Sequence, residues 1–386
     1  MMKTRTVIIV FSVVAVFSST IIVTGWFGAD NIGHYSRAAV LNRTDFKTAS
    51  SLSSCDVTVP QRSQNTGFLS IENESSLQEL AMSEGWPGSG AGDDPFIIEG
   101  YDFTYIRITD IELHIILRNN TIGPGETVDV ISLKRVSHLR MENNTVTSSK
   151  WSLQGLLNRV IWIFHCSDVW ISGNNLRADI FVWGIQIFLS NQITIIDNHF
   201  DGYDRDAITV TSSEWITIAG NYLYLSILDY ENTITVDTCR AVVIVNNTLK
   251  DDGYVYVSTS SIVDIRDNFI DDEITAKNSH SVDIVNNTCG YRFVIETVDS
   301  LLVENNTVIG YIEIKLSSHG TVSGNTINGT VSGNIVPGFI IEDCQQIEEM
   351  NNKIINRTKK ASTGGSVVIV ALIGLSLLNR NKEKDR

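Results

Sequence analysis

An asparagine recurs eleven times along this 386-residue chain within the same local sequence pattern. The intervals between consecutive copies are 24, 30, 24, 23, 26, 21, 19, 19, 19 and 27 residues. Because the pattern holds while the interval varies, we expect rigid repeated units joined by loops of different length. The eleven copies are Asn120, Asn144, Asn174, Asn198, Asn221, Asn247, Asn268, Asn287, Asn306, Asn325 and Asn352.

Apolar side chains alternate before each asparagine with the period of a β-strand. Val169 and Ile171 stand five and three residues before Asn174, and Ile161 and Ile163 stand thirteen and eleven residues before it. A further apolar residue, Leu176 in this copy, follows two positions after the asparagine. The pattern predicts two short strands and a third short inward-facing segment in each repeat.

Coils of this kind can bury their inward faces only by stacking on the coils above and below. The sequence therefore predicts an all-β fold, a single-stranded parallel β-helix solenoid of about 11–12 coils. Asparagine suits a stacked column at a bend, since it tolerates the left-handed backbone region and its amide bonds from coil to coil. We find no helical spacing of apolar residues between residues 95 and 357.

The ends of the chain differ from the repeats. Leu77, Leu80, Ala81 and Met82 predict a short capping helix over residues 75–85 that ends at Gly85. We place this helix in an N-terminal segment, 28–85, ahead of a β-helix that spans 86–358.

Both termini are hydrophobic. Residues 1–27 are a signal peptide or an uncleaved anchor. A linker, 359–366, leads into a hydrophobic segment, 367–378, and a charged tail, 379–386. The positive residues beyond each segment predict a membrane-anchored protein with the β-helix on the extracytoplasmic cell surface. A disordered apolar tail is the alternative for the C-terminal segment, which is short for a membrane span.

Nine Asn-x-Ser/Thr sequences agree with export. Five of them fall in the Asn-Asn-Thr turn of the repeat, so the turn by itself explains the motif and the support is weak. The nine are at Asn42, Asn73, Asn119, Asn143, Asn246, Asn286, Asn305, Asn328 and Asn356.

Acidic and aromatic residues collect in the longer loops. Carboxylates on adjacent coils are predicted to share a hard cation, for which Ca²⁺ is the candidate cofactor. Aromatic faces beside carboxylates suit a sugar surface. In the alternative interpretation, a chain with net charge −15 has acidic loops that keep it soluble. The candidate metal ligands are Asp204, Asp206, Asp229, Asp251 and Asp252, and the candidate substrate-binding tyrosines are Tyr203, Tyr224, Tyr230 and Tyr254.

A second candidate surface consists of outward-facing aromatic residues on two adjacent coils. Trp162 and Phe164 alternate with inward isoleucines, and Phe188 shares the frame position of Phe164, so the two phenylalanines should stack. Such rings need a cover or a ligand. The loop 147–160 folding back is the structural explanation, and a sugar platform is the functional one. Trp183 is in phase with inward residues and is predicted to lie in the core.

The chain has no serine nucleophile elbow, zinc pattern or phosphate loop, and its net acidity argues against nucleic acid as a partner. The repeats VWISGNNL, ITIIDNHF, VDIVNNTC and GTVSGNTI resemble those of right-handed parallel β-helix proteins of the pectate-lyase-like superfamily. The opening GWPGSGAGDDPFIIEGYDF is similar to the entry segment of archaeal secreted or membrane-anchored and NosD-like β-helix proteins.

The resemblance implies a fold more firmly than an activity, because this fold carries lyases, hydrolases, epimerases and adhesins. Resemblance to polygalacturonase-like hydrolases would imply a Gly-His-Gly, which is absent here, and an Arg-x-Lys on a coil. That sequence occurs only beyond the last coil, at Arg357–Lys359 and Arg380–Lys382. A copper role would need clustered soft ligands, and the cysteines fall mostly in stacked columns.

Three functions remain open. The leading hypothesis is a surface protein that binds a polysaccharide or envelope glycan. The alternative is a Ca²⁺-dependent polysaccharide lyase or another carbohydrate-active enzyme, in which the carboxylates hold the cation and Arg205 or Arg292 removes the proton from a uronate. The third is a structural adhesin without a small ligand.

Overall fold

The computed structural model describes residues 65–123, 129–148, 158–178, 182–203, 205–225, 233–329 and 338–356. In these residues the chain forms short strands that recur in a fixed order and pair in parallel with the same strand of the neighbouring coils. We name each coil by the asparagine that follows its second strand, so that the Asn174 coil runs up to Asn174.

Three columns of strands build the solenoid, and strands of the first two columns merge in three coils. The first column comprises Leu69–Ile71, Ile106–Ile111, Asn158–Phe164, Val182–Phe188, Ile208–Thr211, Ile234–Asp237, Val255–Ser258, Tyr311–Lys315 and Gly338–Glu342. The second comprises Phe96–Glu99, Ile115–Arg118, Ser167–Ser172, Asn191–Ile196, Glu214–Ala219, Arg240–Val245, Ser261–Arg266, Ser318–Ser323 and Gln345–Met350. The merged strands are Asp129–Glu142, Glu273–Val285 and Arg292–Glu304.

The third column is a thirteen-stranded sheet. It consists of Asn65–Thr66, Asp102–Phe103, Thr121–Ile122, Thr145–Ser148, Asn175–Ala178, His199–Tyr203, Tyr222–Leu225, Thr248–Lys250, Phe269–Ile270, Thr288–Cys289, Thr307–Val308, Thr326–Gly329 and Lys353–Asn356. The fold is a right-handed parallel β-helix, the hand that connections between parallel strands almost always take. The predicted fold class is confirmed.

The apolar core fills the inside of the coils as the alternation predicts. Ile161, Ile163, Val169, Ile171 and Leu176 are all buried, and the equivalent residues of the neighbouring coils stack on them. Each coil thus covers the apolar face of the next, and this stacking is the main source of stability in a solenoid.

The recurring asparagines form one continuous hydrogen-bonded ladder. The Nδ2 of each asparagine donates to the Oδ1 of the asparagine in the next coil, over 2.9–3.1 Å from Asn120 to Asn352. Each buried amide from Asn120 to Asn325 is satisfied, because Oδ1 also accepts from a backbone N–H and Nδ2 also donates to a carbonyl, as Asn198 shows. The ladder predicted from the recurring asparagines is confirmed.

The predicted capping helix is present as Glu74–Glu84. Its N-cap is Asn73, whose side chain accepts from the N–H of Ser76, and Gly85 ends it at φ 69°. Leu77 and Ala81 are buried, whereas Met82 is 77% exposed and does not belong to the packed face that we predicted for it. Two short strands, Asn65–Thr66 and Leu69–Ile71, pair with the solenoid before the helix begins, so the structure starts the β-helix ahead of the predicted boundary at residue 86.

No helix among the described residues is long and apolar enough to cross a membrane. The two terminal hydrophobic segments, 1–27 and 367–378, lie outside those residues. In the last coil the inward position of Ile354 is exposed, and Glu349 takes another inward position, so this coil is more polar than those before it.

Candidate functional site

Aromatic rings line the outward face of two neighbouring first-column strands. Phe164 and Phe188 are cross-strand partners, and their rings stack with centroids 5.9 Å apart and planes 6° apart. The ring of Trp162 stacks on that of Phe164 at 5.3 Å. The predicted stack is confirmed, and its three rings are half-buried rather than enclosed in the core.

Arginine side chains border these rings. The Arg159 guanidinium lies 4.8 Å from the Trp162 ring and donates two hydrogen bonds to Asp129, at 2.6 and 3.2 Å. Burial raises the pKa of the Asp129 carboxyl more than the charge of Arg159 lowers it. The ring of Trp183, on the next coil, lies 4.2 Å from the guanidinium of Arg205, which belongs to the coil after that. Each of these tryptophan rings therefore has a guanidinium in cation–π contact.

Trp183 is buried, as predicted, but it is not part of the connected apolar cluster of the core. Val182 and Ile185, which flank Trp183 and Gly184, are both fully buried. The strand changes phase between them at Gly184, where a Cβ would lie 2.1 Å from the Ala207 carbonyl oxygen. The regular alternation of two breaks there, and Trp183 turns to the side that carries Arg205.

The middle of the same face is rich in hydroxyl groups. Thr209 donates to the Asp206 carboxylate at 3.1 Å, and the Ser258 hydroxyl hydrogen-bonds the Asp237 carboxylate. Thr209 and Thr235 are neighbours in one row along the face, followed by Tyr256 on the next coil. Hydroxyls and carboxylates therefore recur at a spacing of one coil along the solenoid axis, although the Thr235 hydroxyl is itself buried.

A charged cluster closes the C-terminal part of this face. The carboxylate of Glu273, which is 7% exposed, accepts from the Thr275 hydroxyl and from Nε of Arg292. Nη1 of Arg292 donates to the Tyr311 hydroxyl at 2.6 Å. Burial raises the pKa of the Tyr254 hydroxyl on the preceding coil, the charge of Glu273 adds to this, and a hydrogen bond with Thr275 opposes it.

Asp272 has the most perturbed carboxyl of this cluster. Burial raises its pKa to about 6, the charges of Glu273 and Asp252 add to the rise, and Arg292 opposes it. The neighbouring Glu273 is instead paired directly with Arg292. A carboxyl whose pKa is raised by burial and by neighbouring charges, beside an ion pair, is a common mark of a functional site.

The two arginines predicted as alternative bases lie in different coils. Arg205 belongs to the Asn221 coil and Arg292 to the Asn306 coil, four coil spacings or about 19 Å along the axis. Burial lowers the pKa of Arg292, but the hydrogen bonds and charges of Tyr311 and Glu273 more than reverse this, so its pKa lies above the usual arginine value. Arg292 is therefore suited to bind an anionic group through its positive charge, and it is not suited to act as the base that removes a proton.

The structure describes three of the five predicted calcium ligands. Asp204 and Asp229 lie outside the described residues. Asp206 is two coil spacings, about 10 Å, from Asp251 and Asp252. No three carboxylate, histidine or cysteine side chains of the described part of the chain gather as a metal site. The cation site stays a prediction.

The three described members of the predicted tyrosine set lie in three different environments. Tyr203 is completely buried against Phe200, so its prediction as a ligand-facing residue is wrong. Tyr224 is 39% exposed, and a hydrogen bond with Asp251 raises the pKa of its hydroxyl. Tyr254 is half-buried beside the charged cluster, and Tyr230 lies outside the described residues.

Four residues of the charged cluster, two of which the predicted site omits, share one frame position. Tyr254, Glu273, Arg292 and Tyr311 each stand fourteen residues before a ladder asparagine and follow one another along one row. Counting back from the asparagines would have brought Glu273 and Tyr311 into the site beside the two predicted members. Asp272 carries no such mark, because its importance comes from burial, which the sequence pattern of a loop does not show.

No protein-family model matches the sequence, and no curated protein sequence matches it. Similar solved structures include the surface adhesin PfbA of Streptococcus pneumoniae, at 14% identity over 73% of this chain and 87% of that one, with a TM-score of 0.48. A tailspike protein mutant of E. coli bacteriophage HK620 in complex with a pentasaccharide has 9% identity over 64% and 58%, with a TM-score of 0.38. The polygalacturonase of Erwinia carotovora ssp. carotovora has 12% identity over 69% and 86%, with a TM-score of 0.29.

Proposed function

We propose that this protein binds an extended polysaccharide along the outward face of its first-column strands. The observation that carries the proposal is the half-buried stack of Trp162, Phe164 and Phe188 outside the core. Rings that face outward in this way offer a flat apolar surface on which the C–H face of a sugar packs.

The rest of the face suits a long ligand. It extends from the Asn174 coil to the Asn325 coil, seven coil spacings or about 34 Å. Aromatic rings lie at one end, hydroxyls such as Thr209 in the middle, and the Arg292 and Tyr311 cluster at the other end. A polymer of repeated hydroxyl-bearing units matches repeated donors and acceptors along one axis better than a compact ligand does.

The outward-facing rings have two possible explanations, a covering loop or a bound sugar. The sequence predicts that the loop 147–160 folds over the rings, and residues 149–157 of this loop lie outside the described residues. A permanent cover by this loop would leave no surface for a sugar, so the binding experiment decides between the two explanations.

The test is affinity electrophoresis of the full-length protein through gels that contain neutral or uronate polysaccharides. We expect one class to retard the protein, and we expect Phe164→Ala with Phe188→Ala to weaken binding about 30-fold. Each half-exposed ring contributes about 1 kcal/mol, half of full burial, and each 1.4 kcal/mol is tenfold.

Trp215→Ala is the matched control, because Trp215 is 53% exposed and lies at the start of a second-column strand, away from the proposed face. Its binding should equal that of the wild type. The urea midpoint of each variant separates lost binding from lost folding. Unchanged retardation of the folded double variant would reject the proposal.

A second candidate function is cleavage of the bound polysaccharide, by a lyase or glycoside hydrolase. The specific observation is Asp272, whose pKa of about 6 suits a general acid, next to Glu273 held by Arg292. Release of new chain ends by the wild type, but not by a folded Asp272→Asn variant, would support cleavage. A Ca²⁺ requirement would return Asp204 and Asp229 to the site. A protein that shows neither binding nor cleavage would fit the third hypothesis, a structural adhesin.

The proposed location is the cell surface, with the terminal segments 1–27 and 367–378 as membrane anchors. Their hydrophobic composition supports it. Retention in the membrane fraction after alkaline carbonate extraction, lost when 367–378 is deleted, is the expected result.

A further inference from the structure

The residue directly before each ladder asparagine forms a column of its own at the turn. From Asn119 to Asn351 all eleven members have a positive φ, between about 53° and 63°. They are Asn119, Asn143, Gly173, Asp197, Gly220, Asn246, Asp267, Asn286, Asn305, Gly324 and Asn351. Asparagine, aspartate and glycine are the residues that tolerate this left-handed conformation, so the backbone explains why they fill this column.

The backbone does not explain the residue two positions later. Where the column holds asparagine, threonine follows in five of six copies, as Thr121, Thr145, Thr248, Thr288 and Thr307, with Lys353 as the exception. Where it holds glycine or aspartate, threonine follows in one of five copies, as Thr326, and the others are Asn175, His199, Tyr222 and Phe269. Asparagine and threonine therefore occur together, although both sets of turns have the same backbone.

The five asparagines of these triplets are accessible. All of Asn119, Asn143, Asn246, Asn286 and Asn305 are exposed. Their backbone N–H groups are fixed by hydrogen bonds to the next coil, as from Asn286 to the Glu304 carbonyl at 3.0 Å. Only Asn119 donates its carboxamide to a described residue, Glu99, at 2.7 Å. A group attached to any of the five nitrogens would project from the turn without displacing the ladder.

The triplets avoid the coils that carry the aromatic face. None occurs in the Asn174, Asn198 and Asn221 coils, whereas the two coils before them and the one after them each carry one. The Asn174 and Asn198 coils hold Phe164 and Phe188.

We propose that these five turn asparagines are N-glycosylation sites that line one edge of the solenoid. The donor is a glycan linked to a polyprenyl phosphate or pyrophosphate. Nδ2 forms a bond to C1 of the first sugar, the bond between C1 and the bridging phosphate oxygen breaks, and Nδ2 loses one proton as the polyprenyl phosphate or pyrophosphate leaves with that oxygen. The product is a bulky, hydrated edge with a glycan-free window of three coils.

The spacing of the coils adds a second expectation. Asn119 and Asn143 lie on adjacent coils, as do Asn286 and Asn305, so each pair of attachment points is about 4.8 Å apart. A glycan at one member crowds the other. Each pair should therefore carry one glycan per molecule, whereas Asn246 has no triplet on either neighbouring coil.

The test is translation of the full-length chain with microsomes that transfer N-glycans, followed by protease treatment so that only translocated molecules remain. Peptide-N-glycosidase in H₂¹⁸O then converts each glycosylated asparagine to labelled aspartate, and mass spectrometry of the peptides gives the occupancy of each site. We expect label at Asn246 and at one member of each pair. Thr145→Ala should abolish label at Asn143 and raise it at Asn119.

Thr326→Ala is the matched control, since it removes the same hydroxyl from the same row without a preceding acceptor asparagine. It should leave the label pattern unchanged. Absence of label at all five sites overturns the proposal, whether or not Asn73 is labelled, and absence of a protease-protected chain overturns it as well. Full label at both members of a pair overturns the crowding. The result does not depend on polysaccharide binding, which the gel experiment measures on the unmodified protein.

Discussion

Removal of one amide from the middle of the ladder should destabilise the solenoid far more than removal of the last one. The side-chain amide of Asn198 takes part in five hydrogen bonds. Its Oδ1 accepts from N and Nδ2 of Asn174, at 2.9 and 3.0 Å, and its Nδ2 donates to the carbonyls of Ile171 and Ile196 and to Oδ1 of Asn221. Asn198→Ala breaks all five and leaves the buried N–H of Asn174 without an acceptor.

The magnitude follows from these contacts. An unsatisfied buried N–H costs about 1–3 kcal/mol, and each other hydrogen bond contributes about 1 kcal/mol before the remaining partners compensate. We therefore expect Asn198→Ala to lower the free energy of unfolding by about 4 kcal/mol. Asn352→Ala removes an equivalent amide that is half-exposed, where water replaces the lost bonds, and should cost about 1 kcal/mol.

Urea unfolding followed by circular dichroism compares the two variants with the wild type, and hydrogen exchange at the Asn174 amide locates the effect. Solenoids can unfold in parts, so the exchange rate is the safer measure if the urea transition is not two-state. Equal losses for Asn198→Ala and Asn352→Ala would refute the view that burial, rather than the turn itself, gives the ladder its strength.

Three further predictions concern single side chains. Burial raises the pKa of Asp272, so the stability that its protonated form contributes is fully present below the unfolded pKa near 4 and is lost as pH rises through about 6. In urea unfolding, Asp272→Asn should therefore raise the free energy of unfolding at pH 7.5 by about 1 kcal/mol, after allowance for the partial exposure of Asp272, and leave it unchanged at pH 4. Arg292→Ala should lower the free energy of unfolding by about 3 kcal/mol, because it leaves the buried Glu273 carboxylate without its ion-pair partner. Arg177→Ala removes one partner of an exposed ion pair and should lower it by less than about 1 kcal/mol. Equal urea midpoints for the two variants would contradict this prediction. Tyr203→Phe should leave stability unchanged or raise it by about 1 kcal/mol in thermal unfolding, since its buried hydroxyl has no partner in the described structure, and a lower melting temperature would show a hidden one.

The stacked coils could be predicted from the sequence, because stacking places the equivalent residues of all coils in one column. Residues such as Ile171 and Asn198 repeat at fixed offsets, so one coil predicts the others. The prediction of which side chains face inward fails where the two-residue alternation of a strand is interrupted. At Gly202, with φ 85°, a register shift between Asp201 and Tyr203 turns the tyrosine into the core.

The candidate site was only partly predictable for a related reason. Phe164 and Phe188 could be placed together from their frame position alone. The pKa of Asp272 depends on how a loop buries it against Glu273 of the same coil, and loop burial has no sequence period. The part of the candidate site that depends on loop burial is therefore the part that the repeat pattern does not predict.

The measurement that tests the central claim most directly is carbene footprinting of the full-length protein with and without the polysaccharide that retards it in gels. The polysaccharide-binding account predicts that Trp162, Phe164 and Phe188 are labelled in the free protein and protected by the polysaccharide, while Trp215 is labelled equally in both states. Rings that are as unreactive in the free protein as buried Leu77, or that remain labelled when the polysaccharide is bound, would contradict it.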